Sequence, residues 1–177
     1  MLIYLDANVI QYCADHEAFL FGDGSTPPTK DVKLLKELGA LRKLIELEQL
    51  GEGWDVAAPT HLMKELLAGK PRPSQRKVYA ILLRAWQDSM WREFVEANEE
   101  KISSVENSLR QLNFRDTSDR RHLAEAIALE AAWFLTLDKN IISRTRQKPE
   151  FIGIVQRVRV ARPSECIEDV STGLFLR

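Results

Sequence analysis

The spacing of apolar residues in the first third of the chain predicts strands separated by helices. The apolar run Leu2–Leu5 predicts a buried first strand, and a helix is expected from about Asn8 to about Ala14. Apolar residues then recur at helical spacing over residues 31–50, and the run Trp54–Ala58 predicts a second, short strand. The chain therefore begins with a strand, two helical segments and another strand.

Polar stretches rich in glycine and proline separate these elements and those that follow. The stretch Asp15–Asp31 contains two glycines and two prolines and is expected to be a loop. A helix is predicted to begin at Pro59–Thr60 and to stop at Gly69. A long helix is expected over residues 74–97, where apolar residues recur at every fourth position, and a short one over residues 105–112.

The segment from Asp119 to Asp138 combines a helix with a buried strand. Apolar residues repeat at every fourth position from Leu123 to Ala131, which predicts a helix with one buried ridge. Asp119 lies four positions before Leu123, so it heads that ridge rather than the solvated face. The apolar run Trp133–Leu137 is expected to be a strand, and Asp138 follows directly after its end.

The remainder of the chain continues the alternation of helix and strand. A short helix is expected over Lys139–Arg146, and Lys148–Glu150 should end it. Apolar and polar residues alternate from Gly153 to Ala161, which is typical of a strand with one wet face at the edge of a sheet. Pro163 is expected to begin a final short helix.

The order of these elements predicts the α/β class, with a three-layer α/β/α sandwich around a mostly parallel sheet. The chain has 177 residues, and we expect residues 1–177 to form one domain. Two additions to that domain are predicted, a loop and helix insertion around residues 15–50 and a helical elaboration around residues 72–112.

Composition narrows the class of protein. The chain is 45% apolar and 29% charged, an ordinary globular composition, and its net charge of −1 excludes a polycation. The two cysteines, Cys13 and Cys166, fit no zinc spacing and favour a reduced, cytoplasmic protein. We find no leader-type segment at the N-terminus and no apolar run of the ~20 residues that a membrane helix needs, so no membrane association is expected.

Four carboxylates fall where this fold would gather them. Asp6 ends the first strand, Glu65 is on the helix after the second, Asp119 opens the helix before the third, and Asp138 ends that strand. The carboxyl ends of parallel strands meet at one edge of a sheet, so Asp6 and Asp138 should be close if their strands are neighbours.

Crowded carboxylates repel one another, and a hard divalent cation removes that repulsion. Mg²⁺ and Mn²⁺ prefer carboxylate oxygen and water, and they activate a bound water for the hydrolysis of phosphodiester bonds. The acidic residues therefore predict metal-dependent hydrolytic chemistry.

Four sequence features resemble the PIN-domain family of metal-dependent nucleases. They are Asp6-Ala-Asn8 after the first strand, the Glu65 helix after Pro-Thr, Asp119-x-x-His-Leu-Ala, and Leu135-Thr136-x-Asp138. The resemblance covers nearly the whole chain in order, and the segment from Asp119 to Asp138 is its most specific part.

This resemblance implies a compact α/β/α fold, Mg²⁺ or Mn²⁺ as cofactor, and cleavage of RNA. It implies that the metal ligands and catalytic residues are Asp6, Glu65, Asp119 and Asp138. It also implies that Asn8 and Thr136 are supporting polar groups.

Many small bacterial members of that family are VapC-type toxins, often dimeric and paired with an antitoxin protein. The resemblance therefore implies a toxin with an RNA substrate, an antitoxin partner and a homodimeric state. The loop at residues 15–31 and the long region between Glu65 and Asp119 depart from the compact toxins. The alternative is a non-toxin PIN protein that binds or processes RNA, or that binds a partner without cleavage.

Basic residues near the acidic ones are candidates for binding the RNA backbone. Residues 139–162 hold seven basic residues against one acidic residue, which could also be only a solvated basic face. The candidate substrate-binding residues are Arg115, Arg120, Arg121, Lys139 and Arg144.

Plainer interpretations exist for the same residues. Aspartate is a favoured N-cap, so Asp6, Asp119 and Asp138 could each cap a helix, and Glu65 could be a solvated helix residue. His122 is expected to be a surface or packing residue of its helix. A phosphoryl-receiver domain shares the sheet architecture, but it needs paired acids after the first strand, where only Asp6 is present.

Overall fold

The structure of the protein is a computed structural model that describes residues 1–22, 29–49, 55–57, 60–87, 90–147, 149–155 and 158–172. Its strands are β1 (Leu2–Leu5), β2 (Asp55–Ala57), β3 (Trp133–Leu135) and β4 (Arg159–Ala161). Its helices are α1 (Ala7–Asp15), α2 (Glu17–Phe21), α3 (Val32–Gln49), α4 (Thr60–Ala68), α5 (Pro73–Gln87), α6 (Met90–Ala97), α7 (Glu99–Gln111), α8 (Thr117–Ala128), α9 (Lys139–Gln147), α10 (Pro149–Ile154) and α11 (Pro163–Ser171).

The four strands form one parallel sheet in the order β2-β1-β3-β4. In the register of the central pair, Ile3 lies opposite Trp133 and Leu5 opposite Leu135. The chain passes from β1 to β2 on one side and then returns to β3 on the other side of β1. The strand order therefore reverses between β1 and β3, and open α/β sheets bind their ligands outside the carboxyl ends of the strands at such a point.

Both faces of the sheet are covered by helices. Successive residues of the central strands point to opposite sides and are apolar, so each face has side chains to bury. Tyr4 and Phe134 are fully buried on one face, where they join a core that includes Leu123 of α8. Ile3 and Trp133 are buried on the other face, in a core formed with α1, α3 and α11. The prediction of the α/β class with a parallel sheet is confirmed, and this arrangement is compatible with three layers.

One prediction for the N-terminal half is wrong in detail. The segment Asp15–Asp31 is not only a loop, because α2 forms at its start and buries Leu20 in the core; residues 23–28 lie outside the described part of the chain. The long helix expected over residues 74–97 corresponds to α5 and α6, and residues 88–89 between them lie outside the described part of the chain. The strand predicted for Trp54–Ala58 is present as β2.

The helix predicted for residues 105–112 begins earlier, at the start of α7. Ile102 and Leu109 are both fully buried and lie seven residues apart, so they face the core from the same side of α7. Glu99 and Glu100 occupy its first turn, where negative charge interacts favourably with a helix N-terminus. The acidic character of this stretch hid an amphipathic helix.

The strand predicted for Gly153–Ala161 is also shorter than expected. Helix α10 begins at Pro149, which can occupy the first position of a helix, and it continues to Ile154. Of the residues of this stretch that the structure describes, which leave out 156–157, the last three pair with the sheet, as β4, and β4 is an edge strand as predicted. None of the helices described is both long and apolar enough to cross a membrane.

Candidate active site

Asp6 is the residue at which β1 ends and α1 begins. Its side chain is almost completely buried, and its Oδ1 accepts a hydrogen bond of 2.8 Å from the Ala7 backbone N–H. Asp6 is therefore the N-cap of α1, as the plainer interpretation requires. Its second oxygen, Oδ2, faces the neighbouring strand and makes the contacts that link the two strand ends.

The side chains of Asn8 and Thr136 hold the second oxygen of Asp6. Asn8 Nδ2 donates to Asp6 Oδ2 at 2.5 Å, and Thr136 Oγ1 donates to the same atom at 2.6 Å. Asn8 Oδ1 accepts from the Leu137 backbone N–H at 2.9 Å, which ties the loop after β3 to the start of α1. Both side chains thus hold one carboxylate, and the supporting role in a metal site that the resemblance implies for them stays a prediction.

Asp138 lies on the same edge of the sheet, at the start of α9. Its backbone N–H donates to Thr136 Oγ1 at 3.0 Å, so one hydroxyl connects Asp6 with Asp138. Its Oδ1 accepts from the Asn140 backbone N–H at 2.6 Å, which makes it a cap of α9 as well. The two strand-end aspartates are brought together by neighbouring strands, as the sequence predicts.

The N-cap of α8 is Asp116 rather than Asp119. Asp116 Oδ1 accepts from the Ser118 and Asp119 backbone N–H groups at 2.9 and 3.1 Å. Asp119 lies in the first turn of α8, so its side chain is not used as the cap. The expectation that Asp119 opens the helix is therefore wrong, because the N-cap lies three residues earlier, at Asp116. The capping interpretation does not account for Asp119.

The electrostatics of Asp119 show that the fold crowds several carboxylates. Burial raises the pKa of Asp119, and the negative charges of Asp116, Asp6 and Asp138 raise it further, to about 6, although the nearby His122 acts in the opposite direction. Burial also raises the pKa of Asp6, despite the hydrogen bonds that favour its ionised form. Carboxylates from β1, α8 and the segment after β3 thus lie near enough to perturb one another.

Glu65 makes a different set of contacts. It is exposed on α4, and its Oε2 lies 2.8 Å from His122 Nε2 and accepts a hydrogen bond from Ser118 Oγ. Both partners belong to the first two turns of α8, so Glu65 connects α4 to α8. Of the four predicted acidic residues, Glu65 alone is tied to a histidine.

Sequence reasoning missed the part played by His122. Its ring is buried, with only 1% exposed, and its Nδ1 lies 3.1 Å from the Tyr4 hydroxyl. Burial by itself lowers the pKa of His122, but the hydrogen bond to Glu65 and the charges of Asp6, Glu65 and Glu125 raise it above its ordinary value. The signal that could have found it is its position three residues after Asp119, at helical spacing towards the same edge.

A buried polar chain continues behind His122. The Tyr4 hydroxyl donates to Glu125 Oε2 at 2.8 Å, and Arg121 Nε donates to Glu125 Oε1 at 2.8 Å. Arg121 also makes two hydrogen bonds to Glu99 on α7, at 2.7 and 2.6 Å. Tyr4, Glu125 and Arg121 thus each have hydrogen-bond partners in this network, as buried polar groups require.

The five predicted substrate-binding cations occupy two kinds of environment. Arg120 is buried and donates to the Phe114 and Arg115 carbonyl oxygens, at 2.8 Å each, while Arg121 pairs with acidic side chains as described above. These contacts favour structural roles for Arg120 and Arg121. Arg115, Lys139 and Arg144 are exposed, and for them RNA binding stays a prediction.

Within the part of the chain that the structure describes, no three His, Cys, Asp or Glu side chains are placed so that together they could hold a metal ion. The aspartates influence one another's charge, but they do not form a ready-made ligand set.

Comparisons of the chain with family models, with curated proteins and with solved structures find no match. Function is therefore inferred from the residues at the carboxyl edge of the sheet.

Proposed function

We propose that this protein is a PIN-like, divalent-metal-dependent endoribonuclease that hydrolyses RNA phosphodiester bonds. The observation that carries the proposal is that one hydroxyl joins the two strand-end aspartates: Thr136 Oγ1 donates to Asp6 Oδ2 at 2.6 Å and accepts from the Asp138 backbone N–H at 3.0 Å. Burial and the negative charges of Asp116, Asp6 and Asp138 raise the pKa of Asp119, which agrees with this grouping. The site lies at the reversal of strand order, where this fold class binds ligands. Like charges gathered at a ligand-binding edge favour a cation as part of the ligand.

The donor atoms of this site suit a hard cation such as Mg²⁺ or Mn²⁺, because Asp6, Asp119, Asp138 and Thr136 all offer oxygen. Asp6, Asp119 and Asp138 are the residues that would hold the ion. When bound, such an ion supplies a water of lowered pKa for attack on phosphorus. Glu65 stays a predicted ligand, although its Oε2 is engaged by His122 and Ser118.

The remaining side chains of the site orient groups and neutralise charge. Asn8 and Thr136 fix the carboxylate of Asp6, so that one of its faces is set by the protein. Lys139 and Arg144 are exposed on α9, which begins beside Asp138, and they can neutralise phosphates of a bound strand. An acidic centre with a basic margin is complementary to a metal ion and an RNA backbone together.

The test is cleavage of a mixed RNA substrate by the purified protein in Mg²⁺ or Mn²⁺. We expect cleavage with either ion, loss of cleavage in EDTA, and loss of cleavage in Asp6→Asn and Asp119→Asn. Circular dichroism of each variant separates loss of chemistry from loss of fold. Full activity in either folded variant rejects the proposal.

We further propose that the protein acts in the cytoplasm as the toxin of a toxin–antitoxin pair, as a homodimer. This step rests on the resemblance to PIN-domain toxins alone. Expression in a bacterial host should arrest growth, Asp119→Asn should relieve the arrest, and light scattering should give the mass of a dimer. Undiminished growth on expression of an active enzyme counts against the toxin role.

The second candidate function is a protein of the same fold that binds RNA or a partner without cutting. The observation that favours it is that no three acidic or histidine side chains, among the residues described, are grouped for a metal ion. It predicts RNA binding that is unchanged by EDTA and by Asp119→Asn, with no cleavage in any divalent cation.

A further inference from the structure

The contact between Glu65 and α8 joins an exposed side chain to a network of buried side chains. His122 and Tyr4 are 1% and 0% exposed, and Glu125 is 1% exposed, whereas Glu65 lies on the surface. A buried ring held on both nitrogens cannot turn without breaking a hydrogen bond in the core. His122 is therefore fixed by the core, and the exposed Glu65 is the group that it holds.

The direction of each hydrogen bond in this buried network follows from the charged residue at its inner end, Arg121. Arg121 is cationic and pairs with the Glu125 carboxylate, so Glu125 can only accept from the Tyr4 hydroxyl. When the ring is in its doubly protonated imidazolium form, the Tyr4 oxygen accepts from His122 Nδ1–H and Glu65 Oε2 accepts from His122 Nε2–H, at 3.1 and 2.8 Å. His122 thus donates in both directions, inward to Tyr4 and outward to Glu65.

We propose that His122 is a positioning residue, which fixes the Glu65 carboxylate against the first turn of α8. Glu65 then acts on bound substrate as a hydrogen-bond acceptor in a fixed position. The proposal rests on the proposed nuclease function. It differs from the four-ligand expectation, because Glu65 then contributes to turnover more than to ion binding. Ser118 supports the same oxygen of Glu65 from the preceding turn of the helix.

A pair of substitutions separates this contact from the general need for a buried ring. An asparagine side chain reaches the position of the His122 Nδ1 atom and can keep the bond to Tyr4, but it is too short to reach Glu65. A glutamine side chain reaches the Nε2 position and can donate to Glu65. Comparing His122→Asn with His122→Gln therefore tests the one hydrogen bond that matters, and His16→Asn on the other side of α1 serves as the control.

Single-turnover cleavage of RNA at saturating Mn²⁺ is the readout. Substitution of groups that orient a site typically costs 10–100-fold, so we expect His122→Asn and Glu65→Gln each to reduce kcat by about that factor. His122→Gln should retain clearly more activity than His122→Asn, and His16→Asn should match the wild type. Because both residues act through one contact, the His122→Asn, Glu65→Gln double variant should be no slower than either single variant.

Calorimetric titration with Mn²⁺, without RNA, distinguishes holding from ligation. We expect Glu65→Gln and His122→Asn to bind Mn²⁺ nearly as well as the wild type, and Asp119→Asn to bind it much more weakly. Equal losses in the two His122 variants, additive losses in the double variant, or loss of Mn²⁺ binding in Glu65→Gln each overturn the proposal.

A wild-type protein that neither binds Mn²⁺ nor cleaves RNA refutes the proposed function instead. The contact itself is then measured by ¹H–¹⁵N correlation of the His122 ring, which needs neither metal nor RNA. Glu65→Gln should shift the Nε2 resonance more than the Nδ1 resonance, and an unchanged Nε2 resonance shows that Glu65 is not held.

Discussion

Neutralising Asp119 should stabilise the protein at neutral pH when divalent ions are removed. The pKa of Asp119 is raised from 3.8 to about 6 by burial and by the charges of Asp116, Asp6 and Asp138. The ionised side chain is thus less favourable in the folded chain than in the unfolded chain. Asp119→Asn keeps the shape of the side chain and removes the charge.

The magnitude follows from the pKa difference. At about 1.4 kcal/mol for each unit of pKa, the change from 3.8 to about 6 corresponds to about 3 kcal/mol in full. Asp119 is only half-buried, so solvent screening reduces this to about 1.5 kcal/mol. Loss of a negative charge from the first turn of α8 removes about 0.5 kcal/mol, which leaves a net stabilisation of about 1 kcal/mol.

The pH dependence has a definite sign. Because the folded pKa of Asp119 is the higher one, the folded protein binds more protons than the unfolded chain between about pH 4 and pH 6. The wild type therefore gains stability relative to Asp119→Asn as the pH falls through 6. The advantage of the variant should be full at about pH 7.5 and should be gone near pH 4, where the unfolded aspartate also takes up its proton.

Thermal unfolding in EDTA over this pH range is the assay. For a chain of this length, about 1 kcal/mol corresponds to a rise in Tm of about 2–4 °C at pH 7.5. Asp31→Asn is the matched control, because Asp31 caps α3 through the Lys33 and Leu34 N–H groups. It should give no gain in Tm at any pH. A variant at Asp119 that is no more stable than the wild type at pH 7.5 shows that the carboxylates are not crowded.

Three further predictions follow from particular contacts. Thr136→Val should destabilise the protein by about 1–3 kcal/mol in urea unfolding, because it removes a hydroxyl from the buried Asp6 carboxylate, whereas Thr136→Ser should cost clearly less; equal costs contradict this. Glu37→Gln should cost a similar about 1–3 kcal/mol, because the buried Glu37 accepts from both Ser164 N–H and Ser164 Oγ at the start of α11, while exposed Glu46→Gln should change stability by less than about 1 kcal/mol. In an Asp119→Asn background, Lys139→Ala and Arg144→Ala should each reduce the slope of log affinity for single-stranded RNA against log salt by about 0.7, as measured by fluorescence anisotropy. The control Lys43→Ala on α3 should leave this slope unchanged. An unchanged slope in Lys139→Ala or Arg144→Ala would mean that the residue contacts no phosphate.

Much of the architecture could be predicted because the central strands are buried on both faces. The runs Leu2–Leu5 and Trp133–Leu137 carry almost no polar residue, and such runs between helices indicate a parallel sheet. The neighbouring positions of β1 and β3 then follow the common topology, and they place Asp6 and Asp138 on one edge. The prediction for this pair of residues needed no detail of side-chain packing.

Other elements could not be read in this way, because local patterns do not carry tertiary contacts. The alternation from Gly153 to Ala161 suits a strand, yet the chain has a helix up to Ile154 and, among the residues described, three pair with β3. Alternation measures burial on one side, and an amphipathic turn of helix followed by an extended segment gives a similar count. The start of α7 was hidden for the related reason that its first turn carries two acidic residues, Glu99 and Glu100, beside an acidic stretch, so that one buried residue, Ile102, is the apolar signal there.

The candidate site was predictable in its acidic residues but not in the groups that hold them. Asp6 and Asp138 follow from strand ends, whereas the partners of Glu65 depend on how α4 meets α8. The spacing of His122 after Asp119 points it towards the same edge, but it does not tell that the ring is joined to Tyr4, 118 residues earlier in the chain. Similarly, Arg120 and Arg121 look like cations beside an acidic site, and only the packing of α7 against α8 shows that they are engaged inside the protein.

The most direct test of the central claim is a titration of Mn²⁺ followed by electron paramagnetic resonance at room temperature, where the sharp signal of the free ion disappears on binding. The account predicts that the wild-type protein removes this signal saturably at about pH 7.5, that excess Mg²⁺ restores it, and that Asp119→Asn leaves it nearly unchanged. If the wild type leaves the signal intact, or if Asp119→Asn removes it as well as the wild type does, then the three aspartates do not form a metal site.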